Sequence, residues 1–131
     1  MNRLVNRDRS LEELERERWP APSGDVTRLV ATAHALRRKP IGELTVEELR
    51  LLIRQDVGLT HVLPVALEVL QDDPMAEGDM YEGDLLAAVL TRRPAAWSES
   101  PELGCELRLI VSELGDLSPS LRRDVARFLA R

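Results

Sequence analysis

The sequence predicts an all-α fold, a single compact domain of about seven short helices with no significant β-sheet. Three observations carry that prediction. Apolar residues recur at the helical period along most of the chain. Ser, Thr, Pro and Gly sit where helices start and stop. Aromatic residues make up only 3% of the 131 residues, so Leu, Val, Ile and Ala must fill the core, and these side chains suit helix-on-helix packing.

The elements follow in order. Residues 1–9 are arginine-rich, lack an apolar run of signal-peptide type, and are expected to be a flexible N-terminal segment ahead of a helical domain at 10–131. Ser10-Leu11-Glu12-Glu13 has capping-box form and predicts the first helix. Trp19 to Gly24 holds two prolines and a glycine and reads as a loop. A second helix is expected from about Asp25, with Val26, Leu29, Val30, Ala33 and Leu36 as its apolar stripe. Arg37, Arg38 and Lys39 then complement its carbonyl end, and Pro40 stops it. Thr45 and Glu48 form a second capping box, with Leu44 and Leu49 as a hydrophobic staple, and open the third helix.

Gly58 is expected to end that helix in a left-handed cap. Thr60 would then open a fourth, placing Pro64 in the first turn, where proline is tolerated. Val62, Leu63, Val65, Ala66, Leu67, Val69 and Leu70 wrap most of the fourth helix and mark it as the core element. After an acidic segment, Leu85, Leu86, Val89 and Leu90 predict a fifth helix stopped by Pro94, with Trp97 covering the core. Ser100-Pro101 opens a sixth helix carrying Leu103, Leu107, Ile110, Val111 and Leu114, closed by Gly115. Ser118-Pro119 opens the last. Its apolar face is Leu121, Val125, Phe128 and Leu129, and Arg123, Arg127 and Arg131 form a row on another face.

Composition narrows function. A net charge of −5 disfavours nucleic acid or an anionic membrane as the main partner, since both repel an acidic chain. A lone cysteine, Cys105, permits no internal disulfide and suits a cytoplasmic location. No apolar stretch is long enough to span a bilayer. Lys39 is the only lysine, which reads as a coding bias towards arginine.

Catalytic chemistry finds no foothold. His34 and His61 have neither a nucleophile elbow nor a reactive-cysteine context, and His34 reads as a satisfied boundary residue. Two histidines and one distant cysteine do not make a zinc site. Gly78 and Gly83 are flanked by acids that would repel a phosphate. The expectation is no enzyme, no cofactor, no metal and no small-molecule substrate.

The local anomaly is charge. Glu68, Asp72, Asp73, Glu77, Asp79, Glu82 and Asp84 fall within one stretch that contains no Lys or Arg. Their register does not match a calcium loop, which needs glycine at position six and glutamate at twelve. Two readings remain. The stretch is a solvated loop, with a turn at Asp73-Pro74 and Asp84 capping the fifth helix. Alternatively it recognises a partner through Asp72, Asp73, Glu77, Asp79, Tyr81, Glu82 and Asp84, the tyrosine serving as an amphipathic anchor. For Arg122, Arg123, Arg127 and Arg131 the solvated-face reading comes first, ahead of a grip on RNA or an acidic protein.

Several separated blocks, in order, resemble the CdiI-type immunity proteins of bacterial contact-dependent growth inhibition systems. They are Ser10 to Leu14 with Trp19, Leu36 to Pro40, Leu44 to Ile53, Gly58-Leu59, Val62 to Leu67, and Asp73 to Leu86. The chain departs from the family pattern at Arg54, Met80 and Glu82, where glycine, an aromatic and proline are usual. The resemblance implies a cytoplasmic protein that binds the C-terminal toxin domain of a growth-inhibition effector and protects the producing cell. Occlusion of a basic nuclease by the acidic segment is the mechanism it suggests, with no direct contact to nucleic acid. A non-catalytic helical adaptor is the alternative.

Overall fold

The computed structural model describes residues 7–19 and 28–130. Among these residues the fold is all-helical, with eight α-helices and a 3-10 turn in one domain. The order is α1 (Leu11–Glu15), α2 (Arg28–Leu36), the 3-10 turn η1 (Ile41–Glu43), α3 (Val46–Arg54), α4 (Leu59–Asp72), α5 (Asp84–Leu90), α6 (Pro94–Ser98), α7 (Pro101–Ser112) and α8 (Pro119–Leu129).

Both predicted capping boxes are present. Ser10 Oγ accepts from the Glu13 amide at 3.2 Å while Glu13 Oε1 accepts from the Ser10 amide at 3.0 Å. Thr45 and Glu48 repeat the exchange at 3.2 and 2.9 Å at the head of α3. Each box satisfies two helix-terminal amides locally.

The short α5 is the centre of the molecule. All seven of its residues are buried, and it packs against α3, α4 and α8. Around it, α4 packs against α3 and α7, and α6 lies on α7. Val62, Leu63, Val65, Ala66, Leu67 and Leu70 of α4 join Leu85 to Leu90 in one cluster that also takes in Leu49, Leu52, Ile53, Leu103 and Leu107. Trp97 closes one end, its ring edge-on to Phe128 with centroids 5.5 Å apart.

Several expectations are corrected. Pro94 is the first residue of α6 and not a separator, which fits its preset backbone and missing amide. Helix α4 starts at Leu59, so Pro64 is inside it, beyond the first turn, and removes the amide that would bond to the Thr60 carbonyl. Gly58 is left-handed at the start of α4, while α3 ends earlier at Gln55. Gly115 is not left-handed, and α7 gives way at Glu113. On α2 the buried residues are Ala33, His34 and Leu36, all in its second half, while Leu29 and Val30 are 42% and 48% exposed. Leu129 on α8 is also exposed. Asp25, Val26 and Arg131 lie outside the described residues.

Arg37, expected to complement the carbonyl end of α2, is instead a buried link between elements. Its side chain is 1% exposed, with its guanidinium carbon 4.3 Å from the centre of the Trp19 ring. Its Nη2 donates to Glu15 Oε1 at 2.7 Å and to the Glu17 carbonyl at 3.1 Å. The Glu12 amide donates to the Arg37 carbonyl, so this one residue joins α1 to the end of α2. Residues 7–9 run beside η1, where the Ile41 and Gly42 amides donate to the Arg9 and Arg7 carbonyls, next to an isolated bridge between Ser10 and Pro40.

Candidate functional site

The acidic segment leaves α4 at Asp72 and enters α5 at Asp84, and its path is held by carboxylates. Asp73 Oδ1 accepts from the Met75 amide at 3.2 Å, the turn expected of Asp-Pro. At the far end the chain wraps around Asp84. Its Oδ1 accepts from the Gly78 amide at 2.6 Å, and its Oδ2 accepts from the amides of Met80 and Tyr81 at 3.0 and 3.3 Å. Three amides converging on one ionised carboxylate make a strong and directional arrangement. Asp84 is 2% exposed, so water competes little for these bonds.

A second carboxylate reaches the segment from α3. Glu47 Oε1 accepts from the Asp79 amide at 2.8 Å and from Arg50 Nε at 2.7 Å, while its Oε2 accepts from Arg50 Nη2 at 2.5 Å. Arg50 Nε also lies 3.7 Å from Asp84 Oδ2, so one guanidinium offsets both carboxylates. The hydrogen bonds from Arg50, helped by the Asp79 amide and outweighing partial burial, hold the Glu47 carboxyl below its ordinary value. Glu47 in turn raises Arg50. Both groups stay charged throughout the physiological range.

Two glycines make this path possible. A Cβ at Gly78 would stand 2.5 Å from Glu47 Oε1, so that this carboxylate would have to move off its place, and 3.2 Å from Glu47 Cα, a tight contact. Gly83 has φ +87, a left-handed conformation that glycine adopts without steric cost, and its amide donates to the Met75 carbonyl.

The seven acidic-segment candidates lie along one connection between α4 and α5 but in different environments. Asp72, Asp73, Glu77, Asp79, Tyr81 and Glu82 are exposed, with Tyr81 at 52%, and Met80 beside it is 66% exposed. Asp84 is buried beneath them and serves as the post around which the segment turns. Sequence reading missed Glu47 and Arg50. Their three-residue spacing on α3 was visible as an ion pair, but their bond to an amide thirty-two residues away was not.

The other candidates fall elsewhere. His34 is buried with Nε2 3.3 Å from the Trp19 carbonyl oxygen, and His61 sits in the first turn of α4. Cys105 is exposed on α7. Among the described residues no three His, Cys, Asp or Glu side chains are grouped to hold a metal ion. Arg122, Arg123 and Arg127 are exposed on α8, and Arg122 Nη2 donates back to the Leu117 carbonyl. No helix among the described residues is long and apolar enough to cross a membrane.

No curated protein matches the chain. A family model described as CDI immunity proteins matches residues 13–107, which spans α2 to α6, the whole acidic segment and much of α7. The family is one of toxin neutralisation and is generally non-catalytic. An all-helical chain with an ordered, exposed acidic segment and this match over more than half its length belongs to the CDI immunity proteins.

Proposed function

We propose that this chain neutralises its cognate toxin domain by laying the segment 72–84 over a basic, substrate-binding surface, as an occluding mimic of a polyanion. The contact residues in this reading are Asp72, Asp73, Glu77, Asp79, Tyr81 and Glu82, and Asp84 positions them. A nuclease fits best as the toxin, because its active-site surface must be basic to hold phosphate. The complex forms in the cytoplasm, without a cofactor and without contact to nucleic acid by this chain.

The observation that carries the reading is order. Six exposed residues of the segment are presented by a backbone tied down through four amide bonds to Asp84 and Glu47. A solvated spacer has no need of such anchoring, whereas a binding loop gains from it. Each rotamer-rich side chain frozen on association costs about 0.5–1.5 kcal/mol, and a backbone already ordered adds little more. A standard interface uses about 800 Å² per partner. Against 7983 Å² of total accessible surface, the segment and its surroundings suffice.

Co-expression of the chain with the toxin domain encoded beside its gene tests this. Wild type is expected to restore growth and to co-purify with the toxin in a stoichiometric complex. The double reversal Asp79→Lys with Glu82→Lys is expected to lose both. Unchanged protection by the reversed chain excludes the segment as the contact.

A further inference from the structure

Between the acidic segment and the last helix lies a hollow of about 300 Å³, lined by Tyr81, Ala87, Ser118, Ser120, Leu121 and Asp124. We infer that this hollow receives an arginine side chain of the toxin, held by the Asp124 carboxylate and the Tyr81 ring. The inference rests on the toxin contact proposed above and adds to it the identity of one anchor and a second wall, from α8.

The chemistry of the lining selects the occupant. Ala87 and Leu121 offer apolar surface for a methylene stem. Tyr81 offers an aromatic ring on which a guanidinium can stack. Asp124 is half-buried and forms no ion pair with any other described residue, although Arg122, Arg123 and Arg127 share its helix. A carboxylate partly withdrawn from water and left without a cation is a place for one supplied by a partner. The hydroxyls of Ser118 and Ser120 add acceptors for the remaining guanidinium N–H groups.

An anion is the poorer occupant, even though the hollow adjoins the start of α8. Pro119 has no amide, and the Leu121 amide is already donated to Ser118 Oγ at 3.2 Å. The Arg122 amide is bonded to the Ser118 carbonyl. Little of the helix end is left to attract negative charge, and Asp124 with the exposed Glu77, Asp79 and Glu82 nearby in the chain repels it.

The hollow is also preformed. Leu121 is 3% exposed and packs close to Gly83, where an added Cβ would lie 3.2 Å from its Cδ2. Tyr81 is held through its amide to Asp84. One wall lies within the residues matched by the family model, and the other, on α8, lies beyond residue 107. A pocket made jointly by the two is suited to deciding which toxin is accepted.

Binding of the full-length chain to the purified toxin domain, followed by calorimetry and by association and dissociation rates, tests the inference. Asp124→Asn is expected to weaken binding about tenfold or more, chiefly through faster dissociation. Its melting temperature is expected to stay at the wild-type value, because the Asp124 carboxylate forms no ion pair with any described residue of the free protein. Ser120→Arg, which places the chain's own guanidinium in the hollow, is expected to weaken binding to a similar degree. Replacing the toxin's surface arginines singly by alanine should find one whose loss is no longer felt once Asp124 is Asn. If Asp124→Asn and Ser120→Arg each weaken binding less than tenfold while the Asp79 and Glu82 reversal abolishes it, the pocket assignment is overturned and the segment contact stands. If none of the three weakens binding, both fall.

Discussion

Removal of the Asp84 carboxylate is the sharpest perturbation of the acidic segment. Asp84→Ala takes away the acceptor shared by the Gly78, Met80 and Tyr81 amides. Hydrogen bonds to a charged group contribute about 1.5–3 kcal/mol each, which gives a gross loss of roughly 4–9 kcal/mol. Much of this is recovered. Met80 and Tyr81 are exposed, so their amides can turn to water, and Arg50 keeps Glu47 as its partner. A net destabilisation of about 2–4 kcal/mol remains, a large share of the roughly 5–15 kcal/mol typical of a domain. For a chain of this length that is a fall of roughly 6–20 °C in Tm. Asp84→Asn discriminates hydrogen bonding from burial. Its carbonyl oxygen can still accept from Gly78, but its amide group would face the donors of Met80 and Tyr81, so it should resemble Ala more than Asp. Urea unfolding and amide exchange check both variants. Exchange protection at Met80 and Tyr81 is expected to collapse locally while α4 and α7 keep theirs. A loss below about 1 kcal/mol with unchanged protection at those amides would refute the argument that Asp84 organises the segment.

Other outcomes follow from the same geometry. Gly78→Ala should destabilise the segment and weaken toxin binding without changing the segment's charge, because the new Cβ would collide with Glu47; calorimetry and thermal melting check this together. Arg37→Ala should cost about 2–4 kcal/mol by removing a buried side chain stacked on Trp19 and leaving Glu15 without its cation, read from Trp fluorescence during urea unfolding. The pH dependence has a definite sign. Glu47 and Glu48 titrate below the ordinary value of 4.5 in the folded chain, Glu47 through Arg50 and Glu48 through Lys39 and Thr45, which outweigh its partial burial. The unfolded chain therefore takes up protons first on acidification, so stability is full above about pH 4.5 and falls as pH drops through the lower folded values. Glu47→Gln should flatten the acid limb of Tm against pH. Association with the toxin should slow as salt rises, while dissociation changes less.

What could be read from the sequence depended on how far apart the interacting residues were. Capping boxes at Ser10 and Thr45 are four-residue devices, so their chemistry lies in consecutive letters, and both starts came out to the residue. Apolar periodicity likewise marked Leu103 to Val111 and the core face of α4. Single prolines and glycines were harder, since each has two opposite uses. Pro94 begins a helix as readily as it ends one, and Gly58 serves the helix after it. Partnerships across long separations were not visible. Arg37 had the look of a helix-end charge until Glu15 and Trp19 came against it. Within the acidic segment the pattern gave the location and the charge, but not the division of labour between Asp84, which shapes the turn, and its exposed neighbours. Asp124 carried no signal, because the hollow it lines exists only where α8 meets Tyr81.

The central claim, that the toxin is held against the segment 72–84, is tested most directly by amide-exchange footprinting of the complex against the free chain. New protection is expected across residues 72–84 and in the first half of α8, with α2 and the outer face of α7 unchanged. Protection confined to α2 or α7, with the acidic segment exchanging as it does in the free chain, would contradict it.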